Sequence, residues 1–313
     1  MKFFSFFIIT AITLAAFGNS VAVGIITMTT KSEFIGFQLK GSGTAIVDWG
    51  DDAKKDTLNL DSITDKDGWM QLRCTDLNTF SRTITITGKN ITGFDCETRL
   101  IVLDTHRKAS SCNQFNSLDV SQNPTLTYLN CSNNLLTELD VSRNIALEYL
   151  GCGDNSLTKL DLSKNMALTN LNCRRNQLTE LEISRNTALE HLICGNNPLN
   201  TMDVSQNTAL KELRCDHNQL TALDVSQNIA MMVLSCNNNK ITSLDISQNK
   251  ALRDFSCMNN QLSSVSLNLI FGMLPNNIVS IKDEKMIFIS KNPGTAYCDP
   301  SIAEGKGWSV FLE

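Results

Sequence analysis

Between Leu126 and Cys257 the chain repeats one pattern of apolar and polar positions every 21 residues. The units LTYLNCSNNLLTELDVSRNIA and LEYLGCGDNSLTKLDLSKNMA are followed by four more of the same length, with no insertion or deletion. Inside each unit, L-x-C and L-x-V alternate apolar with polar residues, the period-two pattern of a half-buried strand. A helix would need apolar residues three and four apart over at least ~10 residues, and the Asn-rich stretches leave no such run. The pattern therefore predicts a coil of two short extended segments joined by two turns. Coils stacked at the interstrand spacing of ~4.8 Å would form a solenoid roughly 34 Å long over seven coils.

This geometry gives the recurring side chains their places. Cys131, Cys152, Cys173, Cys194, Cys215, Cys236 and Cys257 fall on the inward face. A thiol there acts as a small hydrophobe. Seven in register cannot pair evenly, so a ladder of free buried thiols is expected. The asparagines three residues after each cysteine, Asn134 through Asn260, and those closing the other half-coil, Asn123 through Asn249, are expected to bond turn backbone in neighbouring coils. Asp119, Asp140, Asp161, Glu182, Asp203, Asp224 and Asp245 form a carboxylate column, each two residues before a serine. Like charges ~4.8 Å apart repel by about 1 kcal/mol in water, so each carboxylate is expected to accept a turn N–H in compensation. A row of divalent cations would need more oxygen ligands than one acid and one hydroxyl per coil provide.

Through LxxLxCxxNxL and LxxLDVSxN the chain resembles the leucine-rich repeat superfamily, and especially the nested 21-residue class of secreted and surface proteins of Bacteroides-type bacteria. The resemblance covers residues 91–268, with Ile91-Phe94-Cys96 and Cys112 to Asp119 as shortened first coils. It also covers the end of the chain, where NPGTAYCDPSIAEGKGW is similar to a closing segment found with such repeats. It implies a mostly β solenoid whose proposed ligands are host surface or matrix proteins and glycans.

Outside the repeat, the opening run MKFFSFFIITAITLAAF followed by small residues reads as a secretory signal peptide over 1–22, cleaved after Ser20-Val21-Ala22. No later run is long and apolar enough to span a bilayer, so the mature chain is expected to be soluble outside the cytoplasm. GIITMTT, EFIGFQL, TAIVDWGDD and TITITGK alternate like short strands and predict a small antiparallel β-sandwich-like domain over 23–90. VDWGDD resembles the tryptophan corner of PKD-like sandwiches, and Asp48, Asp51 and Asp52 are its candidate metal ligands, against the plainer reading of a solvated turn. LNLIFGMLP suits a short helix ended by Pro275, and residues 269–313 are read as a C-terminal cap with KMIFISKNPGT as its strand and turn.

Composition narrows the function. A net charge of −5 lacks the basic footprint of a nucleic-acid binder. His106, His191 and His217 are the only histidines and fall in different settings, and the ladder cysteines point inward, so neither an enzyme nor a cofactor is expected. What varies from coil to coil is the outer face of the cysteine strand, and fixed frames with variable faces make extended binding surfaces. There Tyr128, Tyr149, Arg174, His191 and Arg214 are the candidate ligand-binding residues, because Tyr and Arg are enriched at binding hot spots. The expected role is a secreted or cell-surface adhesion module for a protein or glycan, possibly host-derived. The alternative is a structural spacer without a specific ligand.

Overall fold

The computed structural model describes residues 23–32, 35–50, 55–62, 67–74, 81–97, 113–276 and 285–313. Residues 1–22, read above as a signal peptide, and Asp51, Asp52, His106 and Cys112 lie outside them. Five strands come first: β1 (Gly24–Thr30), β2 (Ile35–Asp48), β3 (Lys55–Asn59), β4 (Met70–Cys74) and β5 (Arg82–Asp95). All their pairings with one another are antiparallel. Alternation sends Ile26, Met28, Val47, Ile84 and Ile86 inward, and Trp49 joins them with no exposed surface, its indole N–H donating to Asp56 at 2.7 Å. The long β2 breaks register against β5 at Lys40/Gly41, where a Cβ on Gly41 would sit 2.1 Å from the Asn90 carbonyl oxygen.

The coils follow. After β6 (Ser117–Asp119) come seven three-residue strands in parallel register: β7 (Tyr128–Asn130), β8 (Tyr149–Gly151), β9 (Asn170–Asn172), β10 (His191–Ile193), β11 (Glu212–Arg214), β12 (Val233–Ser235) and β13 (Asp254–Ser256). The mostly β, leucine-rich-repeat solenoid expected from the sequence is the architecture found. Only the cysteine half of each coil forms a ladder, however. The L-x-V half contains no strand in the repeats from Leu126 onward, because its backbone is spent on local turns such as the Asn144 amide on the Val141 carbonyl.

All seven repeat cysteines are buried, at most 1% exposed, and all are free thiols. Desolvation pushes the Cys173 thiol up to about 12 and its neighbours upward likewise. The ladder starts one rung earlier than the regular repeat: Cys96 donates its amide to the Asn130 carbonyl at 2.7 Å, and Asn113, 17 residues on, supplies its partner asparagine. Each such asparagine binds two coils. Asn176 Nδ2 donates to the carbonyls of Cys152, Cys173 and Arg174, while its Oδ1 accepts the Leu157 amide at 2.9 Å. The residue before it takes a left-handed turn: Asn133, Asp154, Arg175, Asn196, His217, Asn238 and Asn259 have φ between 50 and 58°. Asn, Asp and His tolerate that conformation best among non-glycine residues, which accounts for most of the column and gives His217 a structural reason to be there.

At the far end α1 (Ser264–Met273) is N-capped by Ser263, whose side chain accepts the Ser266 amide. Beyond it β14 (Lys285–Phe288) and, past the short α2 (Ser301–Glu304), β15 (Trp308–Phe311) add two more parallel rungs. Ile289 follows β14 where the repeat has cysteine, and Asn292 repeats the asparagine bonds. The line drawn at residue 268 thus falls inside α1, and the segment read as cap carries β15 in addition to the strand expected at KMIFISKNPGT. The line at 90 falls inside β5, whose last residues, Gly93–Asp95, pair in parallel with β7. The N-terminal strands and the coils share one continuous 15-stranded sheet among the described residues.

Candidate binding face of the strand ladder

The outward positions of the ladder form three columns. In the first, the aromatic rings of Tyr128 and Tyr149 stack with centroids 4.3 Å apart and planes within 5°. Parallel register places the same position of successive coils side by side, so two tyrosines 21 residues apart in sequence meet face to face. Trp69, just before β4, adds a third ring: it meets Tyr128 edge-on at 5.0 Å and 71°. Its room is made by Gly93, the residue of β5 opposite Tyr128, where a Cβ would lie 2.7 Å from the indole. Lys40 Nζ sits 5.8 Å from the same ring. All three rings are half-buried.

Polar groups border this row. Glu97 accepts the side-chain amides of Asn130 at 3.1 Å and Asn133 at 3.2 Å. Asp154 holds Arg174 and Arg175 at 3.2 and 3.3 Å. Gly151 lets the Tyr149 ring lean over it, since an added Cβ would approach that ring at 3.2 Å. Gly153 does the same for the stem of Arg174, at 3.1 Å.

His191 and Arg214 lie farther along the face and are joined through Glu212, which accepts His191 Nδ1 at 3.1 Å and Arg214 Nε at 2.5 Å. Burial works against ionisation of Glu212, but those two hydrogen bonds outweigh it and hold its carboxyl below the usual value. The next coils close on themselves: Asp216 accepts the Ser235 hydroxyl at 2.5 Å and the Asn237 amide at 3.0 Å, and Asn237 in turn accepts Ser256 at 2.7 Å. Several outward residues here, including Asn130, Ser132 and Ser235, are buried by their neighbours.

Of the five residues singled out from sequence, the structure brings Tyr128 and Tyr149 into contact, places Arg174 against Gly153 and Asp154, and collects His191 and Arg214 into a separate ionic cluster. Sequence reasoning missed Trp69, Lys40, Glu97 and Asp154. Trp69 and Lys40 lie outside the repeat, so no periodicity could assign them to this face, whereas Glu97 follows Cys96 of the shortened first coil as Ser132 follows Cys131.

The carboxylate column lies apart from the ladder. Each member accepts the amide of the serine two residues on, from Asp119 with Ser121 at 2.8 Å to Asp245 with Ser247 at 2.8 Å. The serine amide and hydroxyl hold Asp161, Asp203, Asp224 and Asp245 below the ordinary carboxylate range. Asp48 is held by Lys55 at 2.9 Å and by the Gly50 amide, which lower its pKa. Among the described residues no three His, Cys, Asp or Glu side chains converge as a metal site, and no helix is long and apolar enough to cross a membrane.

No family model matches the sequence, and no curated protein is significantly similar to it. Solved structures are. The functional domain of InlJ from Listeria monocytogenes, described as including a cysteine ladder, is 36% identical with a TM-score of 0.57, covering 74% of this chain and 50% of that one. An internalin (inlF) from Listeria monocytogenes is 21% identical over 61% of this chain and 56% of that one, with a TM-score of 0.52. The leucine-rich repeat domain of APL1B is 16% identical over 68% of this chain and 61% of that one, with a TM-score of 0.50. The latter two share the fold. The chain spans about half the length of the InlJ domain it matches.

Proposed function

We propose that this protein is a non-catalytic recognition module, secreted or held at the cell surface, that binds a protein or glycan partner across the outer face of its strand ladder. The observation that carries the reading is the row Trp69–Tyr128–Tyr149: three half-buried rings in contact, on a face whose residues change from coil to coil while the frame stays fixed. Aromatic anchors set in a polar rim have the composition of binding hot spots. The similarity to internalin-type leucine-rich repeats agrees with a protein-binding scaffold. The spacer reading draws on the opposite end of the same face, where His191–Glu212–Arg214 and Asp216–Ser235–Asn237 satisfy one another.

Alanine replacement of Tyr128, Tyr149 and Arg174, singly and together, separates the two. Attachment to an immobilised panel of surface proteins and glycans is measured beside thermal melts. Loss of attachment with unchanged melting supports recognition. Absence of attachment by the unsubstituted chain supports the spacer, and attachment that survives the triple replacement refutes this face as the binding site.

A further inference from the structure

The two ends of the strand sheet differ. One is β6, where Ser117 and Asp119 are exposed; the other is β15, which pairs only with β14 among the described residues. Edge strands are usually guarded by charge, proline or a bulge. The edge strand β3 has Lys55 and Asp56, whereas β15, Trp308-Ser309-Val310-Phe311, has none of these and keeps unbroken register with β14. The core is open at this end too. Phe255, Ile287 and Val310 hold the same inward position in successive rungs, and the first two are fully buried while Val310 is half-buried. On the outward side Phe311 stacks on Phe288 at 4.5 Å and is still 40% exposed, beside Leu312 at 39%.

We infer that β15 is the edge at which two copies of this chain dimerise, pairing antiparallel about a two-fold axis at Val310 so that sheet and core run from one solenoid into the other. The Phe311 carbonyl accepts the Ile289 amide at 3.1 Å, so Ser309 and Phe311 turn their backbone toward β14. Trp308 and Val310 therefore turn theirs to the open side. Setting Val310 against its own counterpart uses those groups in both strands. It also sets Trp308 against Leu312 and Ser309 against Phe311 of the other copy. Inward side chains then meet inward ones and no like charges are opposed.

A second layer selects a copy over a lone strand. α2 packs on β15, with Ala303 buried and Ile302 half-buried. An added peptide strand would cover Val310 and leave that layer bare, whereas the same end of another copy matches both layers. The end of one coil, about 20 residues around at ~3.3 Å each, presents roughly 500 Å² with its side chains. Two such ends bury ~1,000 Å², the lower limit of specific interfaces, so the dimer is micromolar. The axis crosses the sheet, so both ladder faces look the same way.

Sedimentation velocity tests this on the mature chain expected from the sequence, Val23 onward. From about 1 to 200 µM, a span that brackets a micromolar constant, a monomer–dimer equilibrium is expected. Leu312→Lys, at an exposed position, is expected to weaken dimerisation roughly tenfold or more at an unchanged melting temperature. Val310→Pro removes an amide that β14 does not use and should do the same; if that variant fails to fold, Leu312→Lys decides alone. A monomer throughout the range overturns the inference, as does a dimer that Leu312→Lys leaves intact. Growth beyond the dimer, which two-fold pairing excludes, overturns it as well.

Discussion

Two asparagines in one coil provide a test of what holds the solenoid together. Asn176 and Asn186 are both buried, at 9% and 1% exposure, so burial alone ranks Asn186→Ala as the equal or worse lesion. Hydrogen bonding ranks them the other way. Asn176→Ala leaves the buried Leu157 amide without its 2.9 Å acceptor, an orphan costing ~1–3 kcal/mol. It also removes three donations to carbonyls. Those of Cys152 and Cys173 keep a second asparagine donor, Asn155 and Asn197 respectively, which limits their loss to about 1 kcal/mol together. The sum is roughly 3 kcal/mol. Asn186 donates to the carbonyls of Leu162 and Asn165, but these also accept the amides of Asn165 and Leu168, and Asn186 Oδ1 is buried with no partner of its own. Removing it orphans nothing and takes away an unsatisfied oxygen, so the cost is about 1 kcal/mol.

Urea unfolding followed by circular dichroism and by indole emission measures both variants. Because stacked coils can unfold in parts, the comparison is made on midpoints and confirmed by amide exchange of the 150–200 region. Equal midpoints, or a larger loss for Asn186→Ala, would refute the claim that the buried groups left without a partner, and not burial of the asparagine itself, decide the cost.

Further expectations follow from the same coordinates. Native ladder thiols should resist maleimide at pH 8, since burial pushes Cys173 up to about 12, while the partly exposed Cys298 reacts first; rapid labelling of several thiols without unfolding would contradict this. Asp140, Asp161, Glu182, Asp203, Asp224 and Asp245 have folded pKa values below their unfolded ones, so the stability they contribute is fully present above about pH 5 and is lost as the pH falls below about 4. Denaturation midpoints taken from pH 7 down to 3 should show that fall, and a level profile would contradict it. Gly151→Ala should force Asn130 aside, its Oδ1 lying 2.6 Å from the new Cβ, and lift the Tyr149 ring; near-ultraviolet dichroism should change while the far-ultraviolet spectrum does not.

Periodicity made the coils legible because a 21-residue repeat leaves each side chain one possible neighbour, its copy in the next coil. Tyr128 against Tyr149 and each asparagine on its turn carbonyls follow from that alone. The same reasoning gave the L-x-V segments a strand they lack, since alternation records which residues are buried and not whether backbone pairs. Trp69 was illegible: it reaches the ladder from a non-repetitive segment, by a contact set only when β5 bends into the first coil. Ile289 and Asn292 were hidden differently, because the rung they continue is separated from Cys257 by a helix and carries isoleucine in place of the thiol.

The bend of β5 means the two halves of the chain are not separable goods. Its first residues close the antiparallel strands, and its end supplies Phe94, with Cys96 just beyond it, as the floor on which Leu129 and Cys131 rest. A fragment beginning at residue 91 keeps that floor but strips it of the antiparallel neighbours that hold it flat. One beginning at 113 bares the side of β7 to any passing strand, and such a fragment should be recovered as aggregate.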